Sequence, residues 1–342
     1  MPTTDPARRV VATGLGAVTP IGNTAEAYWQ GLISGVSGVG PITLFDPVGL
    51  DVRIAAEVKD FDPTIAMDRK MARRMSRFIH LAMAAATEAV NNSGIDFASY
   101  TPEQLDRVAV VINTGGGGLE QVLEGTRVLA EKGPGQVSPF AIPALSGSMS
   151  ACQISMKYGT TGPVITQVAA CASGVISFID GWRMIQSGEA DVCIVGGTEG
   201  ALVPIAFAAL GNMGALSRRN DDPTHASRPF DRERDGFVFG EDVGVLMVEV
   251  LRKRGVVVMG CMEVNVKMIR GLGGVRDGVG EPVDEGLGSA GQVVGYTLVE
   301  DVLLVGEEDG TRFLEARLIC RRGEADFDSA VENIVGNLLH SA

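Results

Sequence analysis

Residues 164–185 constrain the fold of this chain more than any other stretch. Residues 164–174 read VITQVAACASG, a short β-branched apolar run that changes abruptly into small residues. Residues 175–185 read VISFIDGWRMI, in which large apolar side chains recur at three- and four-residue spacings, as is typical of a helix. The pattern predicts a buried strand, a tight turn and a helix, with the thiol of Cys171 at the join.

The position of Cys171 is one at which a thiol can be a reactive nucleophile. Unpaired N–H groups at the start of a helix favour a thiolate, and the small neighbouring residues leave room for a reactant to approach the sulfur. This geometry is that of a nucleophile elbow built with cysteine in place of serine. Free cysteines are also among the most buried residue types. The spacing alone therefore leaves two interpretations open, a catalytic thiol and a buried structural cysteine.

Composition narrows the class of protein. The 342 residues are 45% hydrophobic, with 45 glycines and 5% aromatic residues, which fits an α/β protein with many tight strand–helix turns. Five cysteines without a C-x-x-C pair indicate reduced thiols in the cytoplasm and argue against a disulfide framework or a metal site. The net charge of -13 argues against a nucleic-acid binder, and no apolar segment is long enough to span a membrane. We expect a soluble, cytoplasmic α/β protein.

Apolar runs typical of strands alternate with helical patterns across residues 8–251. Strands are predicted at residues 8–13, 52–58, 108–112, 164–168, 191–197 and 236–251, and helices at residues 24–32, 69–93, 119–132, 146–158 and 175–185. A glycine turn is expected at residues 14–20. This alternation predicts a mostly parallel sheet covered by helices on both faces.

The character of the sequence changes after Leu251. Residues 253–342 are glycine-rich, with a possible hairpin across residues 292–320 and a helix near the end. We therefore divide the chain into a first domain, residues 1–252, and a segment of unclear α+β character, residues 253–342.

A basic cluster marks the start of the helix predicted at residues 69–93. Its members, which helical spacing places on one broad face together with Arg77, are Arg69, Lys70, Arg73 and Arg74. In an acidic chain this cluster is either a solvated helix face or a docking patch for an acidic partner. The four consecutive glycines at residues 115–118 are similarly ambiguous, since they suit either a ligand approach or a compact turn.

Several motifs follow one another over residues 8–251: RRVVATGLG (8–16), TPIGN (19–23), AACASG (169–174), GEADV (188–192), GGTE (196–199), ALSRRNDDP (215–223), ASRPFD (226–231) and RDGFV (234–238). Taken together and in this order, they resemble one family, the β-ketoacyl-acyl-carrier-protein synthases of fatty-acid synthesis, elongating enzymes of the thiolase superfamily. The resemblance implies a thiolase-like fold for this part of the chain.

The resemblance also implies a reaction, a decarboxylating Claisen condensation in fatty-acid or polyketide synthesis. Cys171 would be the nucleophile that takes an acyl group from a carrier-protein thioester, with a backbone N–H at the elbow steadying the oxyanion. The carbanion formed from malonyl-carrier protein would then attack the acyl-enzyme. Substrates would arrive on the phosphopantetheine of the acyl-carrier protein, and no other cofactor is implied.

Two further assignments follow from the resemblance. The basic helix start and the pair Arg218 and Arg219 match the region where this family docks its carrier protein. Gly116 stands where relatives often carry a branched side chain at the end of the acyl pocket, which implies a deeper pocket and tolerance of longer chains. A homodimer, or pairing with a full synthase, is the expected assembly.

The sequence departs from the family after Leu251. The family's second half supplies two histidines that help to decarboxylate malonate, whereas this chain has only His80, His225 and His340, none in either family motif. The match also frays at residues 241–244, where relatives have small residues between the glutamate and the glycine. Two explanations remain open: a truncated or frame-shifted synthase, or a shortened protein that keeps acyl transfer or carrier binding without condensation. A cysteine hydrolase unrelated to condensation is a third, weaker reading.

Overall fold

The computed structural model describes residues 8–251 and the backbone of two short strands at residues 262–264 and 302–303. The chain divides into two units, Met1–Val258 with Gly323–Ala342, and Met259–Arg322. In the second unit the two short strands, β8 (Met262–Val264) and β9 (Val302–Leu303), pair antiparallel. The predicted strand at residues 312–320 and the predicted terminal helix lie outside the described residues.

The first unit contains the remaining elements. Its strands are β1 (Val10–Val18), β2 (Gly40–Pro41), β3 (Ile54–Ala55), β4 (Val108–Asn113), β5 (Val164–Ile165), β6 (Val192–Glu199) and β7 (Asp242–Val250). Its helices are α1 (Ala25–Ile33), α2 (Arg69–Ala72), α3 (Arg77–Ser93), α4 (Pro102–Leu105), α5 (Leu119–Lys132), α6 (Ala141–Leu145), α7 (Met149–Tyr158), α8 (Ser173–Gln186) and α9 (Pro204–Asn212).

The main sheet of this unit has the strand order β5-β4-β6-β7-β1. Strand β4 pairs parallel with both β5 and β6. Strand β7 pairs antiparallel with β6 on one side and with β1 on the other. Strands β1, β4, β5 and β6 therefore point the same way and only β7 is reversed, which confirms the prediction of a mostly parallel sheet.

Helix α3 packs on one face of the sheet, and two glycines of β1 allow its close approach. A Cβ atom on Gly14 would lie 2.0 Å from the Ala89 carbonyl oxygen, and one on Gly16 would lie 1.9 Å from the Ala85 carbonyl oxygen. The glycine turn predicted at residues 14–20 is therefore wrong for its first residues, because β1 continues to Val18. These glycines serve helix–sheet contact, not a turn.

Helix α8 covers the opposite face of the sheet. The α3 side of the core includes Val192 and Ile194 of β6, whereas Gly181 of α8 lies against Cys193 and Val195, the residues that alternate with them. A Cβ atom on Gly181 would fall 2.3 Å from a methyl carbon of Val195. Both faces of the sheet carry a helix, as expected from the alternating pattern.

The single helix predicted at residues 69–93 is wrong, because α2 and α3 are separate. Asp68 caps α2 by accepting hydrogen bonds from the Lys70 and Met71 N–H groups, both at 2.8 Å. Ser76 then has an extended backbone, with ψ of 162°, and its buried hydroxyl donates to the Ala144 carbonyl at 2.6 Å. This bond between distant residues is the physical reason for the break that local periodicity does not reveal.

Strand β5 is not the buried strand that its apolar sequence predicts. It contains two residues and lies at one end of the sheet order, beyond β4. Val164 is 38% exposed and Val168, in the run that follows, is 69% exposed. An edge position leaves one side of the strand uncovered, and an apolar run alone does not distinguish this from a central position.

Candidate active site

Cys171 lies at the start of helix α8. It is the middle residue of a single 3-10 turn, Ala170–Ala172, and α8 begins at Ser173. The thiol is free and exposed. No side chain caps the first turn of α8, so its N–H groups face the Cys171 region without a side-chain partner at the cap position. The tight turn expected at this join is present.

The other described cysteines contrast with Cys171. Cys193 is buried in β6, where its thiol donates to the Gly181 carbonyl at 3.5 Å. Burial raises the pKa of Cys193 to about 12, which keeps this thiol protonated. Cys152 on α7 is half-buried. Among these three, Cys171 is the thiol most accessible to a reactant.

The backbone before Cys171 is strained. Ala170 has φ of 48°, in the left-handed region that side chains other than glycine rarely adopt. For alanine this conformation costs on the order of 1 kcal/mol. Surrounding contacts must therefore hold the turn, as is common where the chain presents a reactive group.

A buried amide and a buried hydroxyl hold the segment that carries Cys171. Asn113, at the end of β4 and 0% exposed, accepts from the Gln167 N–H at 2.7 Å and donates to the Ser173 carbonyl at 2.9 Å. Ser173 accepts from the Ala169 N–H at 3.0 Å. Sequence reasoning missed both residues; the available signal was a polar Asn ending an otherwise apolar strand.

Two glycines bring helix α8 onto strand β6. A Cβ atom on Gly197 would lie 2.8 Å from the Gly174 Cα and 3.1 Å from its nitrogen. Real Cβ atoms do not approach backbone so closely, so position 197 requires glycine, whereas a Cβ atom on Gly174 would lie 3.8 Å from the Gly197 backbone, an ordinary contact distance. The start of α8 is thereby fixed against the sheet three residues after Cys171.

Glu199 lies at the end of β6, beneath the glycine loop. Its carboxylate accepts hydrogen bonds from the N–H groups of Gly116 at 2.9 Å, Gly200 at 2.8 Å and Ala201 at 3.0 Å. Burial raises the pKa of Glu199, and these N–H donors oppose the shift. A Cβ atom on Gly115 would lie 3.0 Å from the Glu199 carboxylate and 3.6 Å from the Ala170 Cα, so this loop links Glu199 to the elbow.

A second carboxyl lies directly opposite Glu199. Asp242, the first residue of β7, is its cross-strand partner in the register. Burial and the neighbouring Glu199 and Glu241 carboxylates raise the pKa of Asp242 to about 8. Like charges at opposed positions of a sheet destabilise it, and a proton on Asp242 relieves that repulsion.

The side chain of Arg77 is directed to the interior. Helical spacing places it with the basic cluster at the start of the predicted helix. Its guanidinium makes two bonds to the fully buried Glu241, at 2.8 and 2.9 Å. Glu241 also accepts from the Val58 N–H at 2.9 Å. This forked ion pair joins the start of α3 to the start of β7.

The predicted docking residues of the basic cluster surround helix α2. Arg69 and Lys70 lie within it, Arg73 follows as its C-cap, and the Arg74 guanidinium stacks 4.3 Å from the centre of the Phe140 ring. A cavity of about 380 Å³ is lined by Thr64, Arg69, Ala72 and Arg73. The four residues thus form a basic surface, here called the α2 patch, with a concave side between Arg69 and Arg73.

Arg218 and Arg219 lie in the long loop after α9, and both are engaged by carboxylates. Arg218 pairs with Asp51 at 3.2 Å, across the exposed surface. Arg219 is 3.8 Å from Asp235 and donates to the Glu233 carbonyl at 2.9 Å. Their charges are therefore partly neutralised, that of Arg218 by Asp51 from another segment and that of Arg219 within the loop, and their docking role stays a prediction.

Gly116, assigned to the acyl pocket, is exposed and closely flanked. A Cβ atom at this position would lie 2.7 Å from the Ala201 Cβ and 3.0 Å from the Glu199 carboxylate. These two residues occupy the space where a side chain would begin. The deeper pocket stays a prediction, and Ala201 is the side chain that borders it.

The described histidines bond elsewhere. The His80 Nε2 atom is 2.8 Å from the Ala72 carbonyl, and burial lowers the pKa of His80. The Nδ1 atom of His225 is 2.8 Å from Asp222 in the exposed loop. His340 lies outside the described residues.

Over residues 8–251 and the two strands beyond, no three His, Cys, Asp or Glu side chains are grouped so as to hold a metal ion. In the same part of the chain, no helix has the length and apolarity needed to cross a membrane. The groups described above that could take part in chemistry or binding are the Cys171 thiol, the Glu199 and Asp242 carboxyls and the arginines of the α2 patch.

Residues 7–254 match the model of the beta-ketoacyl synthase N-terminal domain. The chain belongs to the beta-ketoacyl synthase family.

Curated relatives and solved structures agree with this assignment. The chain is 46% identical over 244 residues to a 3-oxoacyl-[acyl-carrier-protein] synthase 2 from Synechocystis sp., and 43% identical over 242 residues to one from Vibrio harveyi. Each match covers 71% of this chain and 58% of the relative, so the chain spans little more than half of these proteins.

Among solved structures, the ishigamide ketosynthase/chain length factor is similar with a TM-score of 0.65 and 31% identity, covering 71% of this chain and 59% of that one. A beta-ketoacyl synthase from Burkholderia phymatum is similar with a TM-score of 0.66 and 27% identity, covering 75% of this chain and 63% of that one. The thiolase-like fold expected for residues 8–251 is confirmed.

Proposed function

We propose that this chain accepts an acyl group on Cys171 from an acyl-carrier-protein thioester, as the first half of 3-oxoacyl-acyl-carrier-protein synthesis. The observation that carries the proposal is a free, exposed thiol on a strained turn at the uncapped start of α8, in a chain of this family. The established names of the relatives supply the substrate class.

The transfer needs only groups near the elbow. The Cys171 thiolate attacks the thioester carbonyl, and a tetrahedral oxyanion forms that backbone N–H groups at the turn can stabilise. The carbon–sulfur bond to the carrier's phosphopantetheine then breaks, and the proton that left Cys171 ends on the departing thiol. The product is an acyl-cysteine thioester on this chain and a free carrier thiol.

Carbon–carbon bond formation is the second half of the proposed reaction. Malonyl-carrier protein would lose CO₂, and the resulting carbanion would attack the acyl-Cys171 carbonyl to give the 3-oxoacyl product. His80 and His225 are bonded away from the elbow, and the match covers 58% of the first relative. We therefore propose acyl acceptance as the step that the described residues of this chain support.

The carrier protein is proposed to dock at the α2 patch. Carrier proteins that are acidic would meet its four basic side chains, whose charges contrast with the net charge of -13 of the chain. One structural neighbour, with a TM-score of 0.64, is described as a type II polyketide acyl-carrier protein in complex with its ketosynthase. That complex supports carrier binding as the interaction to test.

A second candidate function is that of a carrier-binding subunit that pairs with a full synthase without condensing. The exposed edge strand β5 favours it, since uncovered strand edges pair readily with another chain. Homodimerisation through the same edge is the alternative assembly. Light scattering detects a homodimer, and a pull-down with a full synthase detects the mixed pair. A chain that is monomeric and retains no full synthase contradicts both assemblies.

A cytoplasmic location stays a prediction.

The acyl-acceptance proposal is tested by intact-mass measurement after incubation with acyl-carrier protein. We expect an acyl adduct on the wild-type chain that is absent from Cys171→Ala. The Cys152→Ala variant, which removes a half-buried thiol elsewhere, should keep the adduct. A wild-type chain that stays unmodified at high carrier concentration would reject the proposal.

A further inference from the structure

Asn113 is a buried amide with two backbone partners on either side of Cys171. Its Oδ1 atom accepts from the Gln167 N–H at 2.7 Å, and its Nδ2 group donates to the Ser173 carbonyl at 2.9 Å. The Gln167 N–H can only donate and the Ser173 carbonyl can only accept, so the two bonds determine which way the Asn113 amide is oriented. A single side chain thus spans the two ends of the turn that carries the thiol.

Ser173 completes the connection across the same turn. It is 4% exposed, and its hydroxyl accepts from the Ala169 N–H at 3.0 Å, closing the turn from the helix side. The hydroxyl also lies 3.4 Å from the Thr114 carbonyl, next to Asn113 in the chain. The end of β4 and the start of α8 therefore hold residues 167–173 as one connected unit.

The strain at Ala170 requires such a holder. A left-handed alanine, with φ of 48°, relaxes unless neighbouring contacts prevent it, and both bonded ends of the turn lie within three residues of Ala170. Strand β4 is the rigid base, since all of its residues are buried and it pairs on both sides. Buried polar groups with every bond satisfied specify a single local conformation.

We propose that Asn113, acting with Ser173, is a positioning residue that holds Cys171 in the conformation required for acyl transfer. This inference rests on the proposed acyl acceptance for its physiological meaning. Asn113 acts through the backbone of residues 167 and 173, to which its side chain is bonded. Loss of the amide frees the turn to relax, which moves the thiol away from the position that the start of α8 fixes.

The test compares Asn113→Ala with wild type in single-turnover acylation of Cys171 at several acyl-carrier-protein concentrations. The maximal rate constant should fall at least about tenfold, because displacements near 1 Å have effects of this size or larger. The half-saturating carrier concentration should stay unchanged, since the α2 patch is intact. The final fraction acylated should also stay unchanged, whereas simple misfolding lowers that fraction and leaves the rate constant of the folded molecules as it was.

Thr198→Val is the matched control. Thr198 is 4% exposed and donates to the Phe78 carbonyl at 2.8 Å, so the variant also loses a buried side-chain-to-backbone bond, but one made to helix α3. It should acylate at the wild-type rate. The fold-loss in acylation rate of the double variant Asn113→Ala/Ser173→Ala should be smaller than the product of the fold-losses of the two single variants. The reason is that residues that hold one turn act as a unit. An Asn113→Ala protein that reaches the wild-type rate constant, or an equal loss in Thr198→Val, overturns the inference.

Failure of the proposed function and failure of the positioning role give different results. If the wild-type chain forms no acyl adduct, the proposed function fails, and the positioning role is measured by iodoacetamide alkylation of Cys171, resolved by peptide mapping. The alkylation rate at Cys171 in Asn113→Ala should then differ by at least about threefold from that in Thr198→Val. Equal rates in the two variants would overturn the positioning role independently of any carrier protein.

Discussion

Gly197 of β6 and Gly174 of α8 are in backbone contact, so close that a Cβ atom on Gly197 would lie 2.8 Å from the Gly174 Cα. This contact lets a helix start directly on the strand beside it. The start of α8, next to the reactive turn at Cys171, therefore lies against a glycine, Gly197, whose replacement by any larger residue would push the two backbones apart.

Gly197→Ala should push the start of α8 off the sheet. The added methyl meets backbone atoms that cannot rotate away, so we expect a loss of about 2 kcal/mol in the free energy of unfolding. Urea denaturation measures this loss, and acylation of Cys171 should slow in parallel. Gly244→Ala is the control, because Gly244 is the cross-strand partner of Gly197 and a Cβ atom there meets nothing within 4 Å. Equal losses in the two variants would contradict the role of the close contact.

Reversing charge in the α2 patch should weaken carrier docking. In Arg69→Glu/Arg73→Glu, acylation at low carrier concentration should fall roughly tenfold or more at low salt, because opposite charges across an interface accelerate association. The loss should shrink as NaCl rises to about 0.5 M, because dissolved ions then screen interactions between charges that are more than a few ångströms apart. Stopped-flow acylation over a salt series measures both effects.

Lys132→Glu provides a control charge reversal, since Lys132 is an exposed lysine at the last residue of α5 and is not part of the α2 patch. It should leave the low-salt rate within about twofold of wild type. A similar loss in both proteins would assign the effect to net charge and not to the patch.

Asp242 should make the protein less stable as pH rises. Its pKa is raised from 3.8 to about 8 in the folded state, so the folded chain holds a proton there that the unfolded chain has released. Between these two values the unfolding free energy falls with pH, by at most about 1.4 kcal/mol per pH unit for one proton. Below pH 3.8 both states are protonated and the effect vanishes.

The Asp242→Asn variant isolates this contribution. An amide cannot ionise, so the variant should lose less stability than wild type between pH 6 and pH 8. His80, whose pKa is lowered, acts in the opposite sense by removing stability at low pH, and it is common to both proteins. Identical pH slopes in urea denaturation would show that Asp242 is ionised in the folded chain.

The Arg77–Glu241 pair should be far more sensitive to mutation than its surface counterpart. Glu241→Gln leaves the Arg77 guanidinium without its buried countercharge and should reduce the unfolding free energy by about 3 kcal/mol. Glu124→Gln breaks the exposed pair with Arg127, at 2.7 Å, and should change stability far less, because solvent screens both charges. Thermal and urea denaturation of both variants provide the comparison, and equal effects would rule out burial as the cause.

Local sequence was sufficient for elements whose pattern is set by their own residues. The continuous apolar runs at β4 and β6 indicate strands buried on both faces, and both are found there. The helices predicted at residues 24–32 and 69–93 end within one residue of the observed ends, Ile33 and Ser93, because the backbone requirements of helix ends act within a few residues.

Contacts between distant residues account for what the sequence pattern missed. The break between α2 and α3 depends on a bond from Ser76 to a carbonyl 68 residues away. Asn113 bonds groups 54 and 60 residues further along the chain, so its role is invisible to spacing. The edge position of β5 is likewise a property of strand order, which an apolar run does not encode.

Ala170 gives the reactive turn a further meaning. Glycine adopts the left-handed conformation found at this position, φ of 48°, without the penalty that alanine bears. A sequence optimised for stability alone would carry glycine at position 170, but glycine also enlarges the set of shapes that the turn can take. Stability of the fold therefore favours glycine at position 170, whereas a restricted conformation of the turn favours alanine, the residue found here.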